Sequence, residues 1–104
     1  MAVAHIILLK VKNEQAENAD AALRAIADLK ERLPGVIESV HLGVNFSERS
    51  KGFTHGFTMI FKDRAALEKY DKSPEHREVV DGHILPNFDD RLCVDYDVAD
   101  YSVL

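Results

Sequence analysis

The stretch from Val3 to Lys12, VAHIILLKVK, constrains the fold more than any other part of the chain. It is rich in β-branched and aliphatic residues and too short for a capped, buried helix, so it predicts a strand. Val3, His5, Ile7, Leu9 and Val11 share one side, and Ala4, Ile6 and Leu8 share the other before Lys10 and Lys12. Both sides are apolar in the middle, so both need cover. A chain of 104 residues defaults to one domain. At that size roughly 60–70% of the unfolded surface is buried. That supplies one core with little to spare for a second sheet face, so a partner subunit is expected.

The next segment is helical in pattern. Asn13 is placed to cap it, Glu14 and Glu17 sit in its first turn, and Lys30 and Arg32 in its last, as the helix dipole favours. Ala19, Ala22, Leu23, Ile26, Leu29 and Leu33 recur at helical spacing, and Pro34-Gly35 ends the run. Val36 to Phe46 predicts a second strand, with Gly43 marking a bulge or a close backbone approach. After the polar loop Ser47–Gly52, Phe53 to Phe61 predicts a third strand, with Phe53, His55, Phe57, Met59 and Phe61 on one face. Asp63 caps a short helix through Leu67 and Tyr70. Ser73-Pro74 then gives an N-cap and a first-position proline for another, running through His76 and Val79 to about Gly82. His83 to Phe88 is irregular or helical, Arg91 to Asp97 is the last strand, and Val98 to Leu104 is a loose or partner-docking tail.

The order is β-α-β-β-α-β, an α+β, ferredoxin-like arrangement: one domain over 1–104, core about 3–97, with helices on one face of an antiparallel four-stranded sheet. The bare face would show Ile6, Leu8, Thr58, Ile60, Leu92 and Val94, an apolar patch that a two-fold homodimer, sheet against sheet, would cover. A net charge of −5 with no basic run argues against nucleic acid and against membrane surfaces as partners. The apolar run Ile6–Leu9 is far too short to span a bilayer. Cys93 is the only cysteine, which rules out an internal disulfide and a cysteine-based metal motif; a cytoplasmic protein is expected.

The odd strand positions bring His5 and His55 to the covered side with Ile7, Leu9, Phe57 and Met59, beneath Tyr70 and His76. An apolar pocket with a few converging polar groups is the usual form of a small-molecule site. Ser73 as N-cap puts His76 in the first helical turn, where the dipole disfavours the imidazolium and leaves a neutral base. The Tyr70 phenol can donate to a developing oxyanion. Each residue also has a plain structural reading: an inward strand histidine is more often a bonded core residue, and Tyr70 one turn after Leu67 more often packs. His41 and His83 are read as surface or interface residues. No two histidines have the helical spacing of metal ligands and no carboxylate cluster accompanies them, so no metal and no cofactor is expected.

AHIILLKVK, the P-G-V after the first helix, G-V-N-F-S at Gly43–Ser47, G-F-T-H-G-F at Gly52–Phe57, Y-D-K-S-P-E-H at Tyr70–His76 and V-D-Y at Val94–Tyr96 together resemble the stress-responsive dimeric α/β-barrel (Dabb) family. The resemblance implies a ferredoxin-like monomer that pairs through its sheets. It also brings in heat-stable plant stress proteins and a plant polyketide cyclase that makes olivetolic acid by a cofactor-free intramolecular aldol condensation of a polyketide thioester. By that resemblance His76 is the base and Tyr70 the oxyanion partner, with His5 and His55 in the pocket. The chain departs from the family pattern at Ser73, where histidine is usual before P-x-H. On the first helix, Ala22, Leu23 and Ile26 stand where the cyclase has bulky aromatics, so the pocket differs in shape. Arg91 and Cys93 would add polarity from the last strand. The expected lining is His5, His55, Ile7, Leu9, Leu23, Ile26, Phe57, Met59 and Phe88, around a small apolar carbonyl compound. The competing expectations are a non-catalytic stress protein and a carrier of a hydrophobic metabolite.

Overall fold

The computed structural model describes residues 1–99. Strand β1, Val3–Val11, lies inside a four-stranded sheet together with β2 (Ile37–Val44), β3 (His55–Phe61) and β4 (Phe88–Asp97), in the spatial order β2-β3-β1-β4. Every neighbouring pair is antiparallel. Helix α1 (Ala19–Arg32) connects β1 to β2. Between β3 and β4 run α2 (Arg64–Asp71), α3 (Pro74–Val79), a π-helical turn (Val80–Ile84) and the single turn α4 (Leu85–Asn87). This is the α+β, ferredoxin-like order read from the sequence.

The register decides what meets what. Across β1 and β3, His5 lies opposite Met59 and Leu9 opposite His55. Across β1 and β4, His5 lies opposite Asp95, Ile7 opposite Cys93 and Leu9 opposite Arg91. The odd side of β1 carries the helices. Leu9, Met59 and Phe61 are fully buried there against Ala22, Ile26 and Leu29 of α1. Each large side chain so buried contributes about 1.5–3 kcal/mol over its exposed state. The even side is bare: Leu92, Val94 and Tyr96 are 47%, 47% and 51% exposed, values that mark an uncovered sheet face rather than a core.

Local details differ from expectation for physical reasons. The first helix does not start at Asn13: a 3-10 turn, Asn13–Asn18, precedes α1, and Asn13 caps nothing. The apolar stripe begins only at Ala19, so nothing before it holds a helix to the sheet. The Asn18 amide instead reaches Gln15 and Asn87. Gly43 makes no bulge, standing in regular register opposite Gly56; the irregularity in β2 falls between Ile37 and Ser39. Gly35 follows α1 with φ +78°, a conformation glycine adopts without strain. Of the expected tail, Val98 still donates its amide to the Ala2 carbonyl (2.8 Å), and 100–104 lie outside the described residues.

Candidate active site

The site is built around the break between α2 and α3. Asp63 caps α2 by accepting from the Ala66 amide (2.9 Å). The helix ends with Tyr70 turned inward, 2% exposed. Ser73 then joins the two helices. Its hydroxyl donates to the Tyr70 carbonyl (2.8 Å) and accepts from the His76 amide (3.1 Å), while Pro74 opens α3. This joint holds the Tyr70 and His76 rings with centroids 4.6 Å apart. His76 Nδ1 lies 3.2 Å from the Asp71 carbonyl. A carbonyl only accepts, so Nδ1 carries the proton and Nε2 keeps its lone pair.

Below them, on β1, His5 is buried with its ring 5.8 Å from that of Tyr70 and edge-on to Phe61. Its Nδ1 donates to Asp95 Oδ1 at 2.5 Å, and Cys93 Sγ stands 3.7 Å from the same nitrogen. Tyr70, His76, His5 and Cys93 border a cavity of about 760 Å³, open to solvent. That is within the roughly 300–1,000 Å³ of small-molecule sites. Ile7, Leu9, Ile26, Phe57, Val79 and Ile84 make its apolar wall, and Arg77 and Arg91 stand among the polar lining. The Tyr70 hydroxyl has no protein partner among the described residues, and no polar side-chain atom there is both buried and unpartnered, so the phenol faces the cavity.

The electrostatics separate the two groups. Burial lowers the His76 pKa below the ordinary histidine value of 6.5, outweighing its bond to the Asp71 carbonyl. The expected direction holds, with desolvation as the leading cause. Burial, with the charge of Asp71 behind it, raises the Tyr70 phenol, which stays protonated. Burial and Asp95 push the Cys93 thiol up to about 11. A neutral imidazole beside a protonated phenol can accept one proton and donate another.

The family model described as the stress responsive A/B barrel domain matches residues 3–98. The chain belongs to this family. It is 37% identical over 75 residues, 70% of its length, to a stress-response A/B barrel domain-containing protein of Arabidopsis thaliana, and spans 28% of the length of that relative. A dimeric ferredoxin-like protein of unknown function from Jannaschia is 28% identical, with TM-score 0.80 over 94% of this chain and all of that one. The hydroxynitrile lyase of Passiflora edulis shares the fold, at 18% identity and TM-score 0.85, covering 95% of this chain and 94% of that one.

Within this A/B barrel domain, the cavity brings together His5, Tyr70, His76, Ile7, Leu9, Ile26 and Phe57 of the expected set. Four others lie elsewhere. His55 is at the far end of β3, where its Nδ1 meets Thr54 Oγ1 (2.7 Å) and its ring stands edge-on to Phe88. Met59 is sealed in the core, Leu23 packs against the core, and buried Phe88 borders a separate cavity of about 250 Å³. Chain direction explains His55. The two strands are antiparallel, so residues early in each finish at opposite ends, here four positions or roughly 13 Å apart along β1. The same rule brings Asp95, late in β4, beside His5, early in β1. Sequence reasoning missed Asp95, although its odd position and the strand order pointed to it.

Proposed function

We propose that the protein is a homodimeric A/B barrel that performs cofactor-free acid/base chemistry on a small, largely apolar carbonyl compound in the cytoplasm. The reaction class is an aldol-type cyclisation or the related lyase cleavage. In this reading His76 Nε2 takes a proton from the carbon next to the carbonyl. The Tyr70 hydroxyl hydrogen-bonds the enolate oxygen, and His5, held by Asp95, positions a second polar group. The observation that carries it is the Tyr70–His76 pair, 4.6 Å apart, opening on the cavity. The Passiflora lyase shows that this fold can carry a lyase and lends nothing on substrate. The dimer is supported by the half-exposed Leu92, Val94 and Tyr96 and by the dimeric Jannaschia relative.

The test is turnover of a short poly-β-keto thioester and of simple aldols, followed by product chromatography, in the native chain, His76→Ala and His41→Ala. Loss in His76→Ala alone is the expected result, and equal turnover in both variants would remove the base assignment. Sedimentation velocity on Val94→Asp tests the dimer: a charge on a buried face gives monomers, and an unchanged dimer would place the contact elsewhere. A second reading, a non-catalytic stress-response protein, is in line with the stress-response name of the Arabidopsis relative, and a third is a binder of a hydrophobic metabolite. Ligand binding that survives His76→Ala, with no turnover in the native chain, would select it.

A further inference from the structure

We propose that His5, Cys93 and Asp95 form a binding site for a single divalent transition-metal ion of the zinc type on the cavity wall. Their ligand atoms all lie within 4.8 Å of one another, drawn from two strands far apart in sequence. Sγ of Cys93 is 3.7 Å from His5 Nδ1 and 3.6 Å from Asp95 Oδ2. Ligands at zinc–sulfur, zinc–nitrogen and zinc–oxygen lengths of about 2.0–2.3 Å around a tetrahedral ion stand roughly 3.3–3.6 Å from each other. With Asp95 Oδ2 as the oxygen ligand, the two separations from the sulfur already have about that value, and Oδ1 of the same carboxylate meets His5. The 2.5 Å hydrogen bond from His5 Nδ1 to Asp95 Oδ1 has to give way to the ion, which a turn of the aspartate side chain allows.

The backbone holds the set in place. Cys93 and Asp95 are two apart on one face of β4, and His5 is directly opposite Asp95 on β1. The His5 ring is further fixed by Phe57, Phe61 and Tyr70, at 6.1, 6.1 and 5.8 Å. One imidazole, one thiolate and one carboxylate suit zinc or cobalt, whereas magnesium and calcium take oxygen ligands. Three protein ligands leave a fourth position, and since His5 and Cys93 line the cavity, that position opens into it. On binding, the thiol proton leaves to solvent and the His5 proton moves from Nδ1 to Nε2, freeing Nδ1 for the ion. The site shares His5 and Asp95 with the proposed reaction but does not depend on it, and its test reads no activity.

The full chain, stripped of metal, is titrated with Co²⁺ alone and then with Zn²⁺ alone. The expected result is one Co²⁺ per chain, with a thiolate-to-cobalt band in the near ultraviolet, tetrahedral visible bands, and displacement by Zn²⁺. Cys93→Ser abolishes the near-ultraviolet band, and Asp95→Asn weakens affinity by about 10–100-fold or more. Circular dichroism checks that these variants and His5→Ala fold. A native chain with no thiolate band overturns the proposal. So does a band of equal strength and affinity in Asp95→Asn and His5→Ala, which would mean that Cys93 binds cobalt by itself.

Discussion

His5 and His55 stand on the same face of one sheet, yet the two ends of that face do different things. At the His5 end the helical cover is broken: α2 stops, Ser73 bridges, and α3 restarts, leaving Tyr70 and His76 over an open cavity. At the His55 end the same face is tied shut. The Thr54 hydroxyl accepts from the Val11 amide and donates to the Leu9 carbonyl, so His55 Nδ1 is left to donate to Thr54. His55 Nδ1 is thus satisfied within the chain, while the Tyr70 hydroxyl and His76 at the other end border the open cavity.

The largest expected contrast is in rate. His76→Ala should lower kcat/KM about 10²–10⁴-fold on any substrate of the site, the usual contribution of a general base. His55→Ala should change it by less than about threefold, since His55 does not line the cavity. Comparable losses in both, measured by steady-state kinetics, would erase the distinction between the ends. Tyr70→Phe comes next, at about 10²–10³-fold for one lost oxyanion donor. Thermal stability should stay near native, because the hydroxyl has no protein partner among the described residues; a large drop in Tm would show that the phenol is structural.

Smaller effects sharpen the comparison through stability. Thr54→Val removes the hub of the closed end and should cost about 1–3 kcal/mol in urea unfolding while leaving the rate alone. Ser73→Ala should cost about 0.5–2 kcal/mol as a lost cap. Unlike Thr54→Val it should also lower the rate, since it loosens the joint that sets the Tyr70–His76 spacing. The pH effect is smallest. Burial holds the His76 and His55 pKa values below 6.5 in the folded chain. The unfolded chain therefore binds more protons as pH falls below 6.5, and stability declines from there until the folded values are reached. His76→Ala should flatten part of that slope without removing it, His55 supplying the remainder.

Much of this was legible in the sequence, and the gaps have causes. Alternation in VAHIILLKV and FTHGFTMIF assigned the faces correctly, and the helix break was written in Ser73-Pro74. Alternation is silent on which end of a face a residue occupies, so it groups His55 with His5. Strand direction, implied by the element order, separates them and brings in Asp95. Cys93 and Asp95 lie 88 and 90 positions from His5, beyond any motif built on local spacing. The 3-10 turn before α1 escapes for another reason: a good capping residue at Asn13 is no help to a segment with no apolar face to bury.

The proposed chemistry requires His76 to be neutral, with its proton on Nδ1 toward the Asp71 carbonyl and its Nε2 lone pair free. Nitrogen-15 NMR of the imidazoles across a pH titration reads both properties at once. The Nδ1–H tautomer is expected for His76 at neutral pH, with a titration midpoint below 6.5. An Nε2–H tautomer, or a midpoint at or above 6.5, would contradict it.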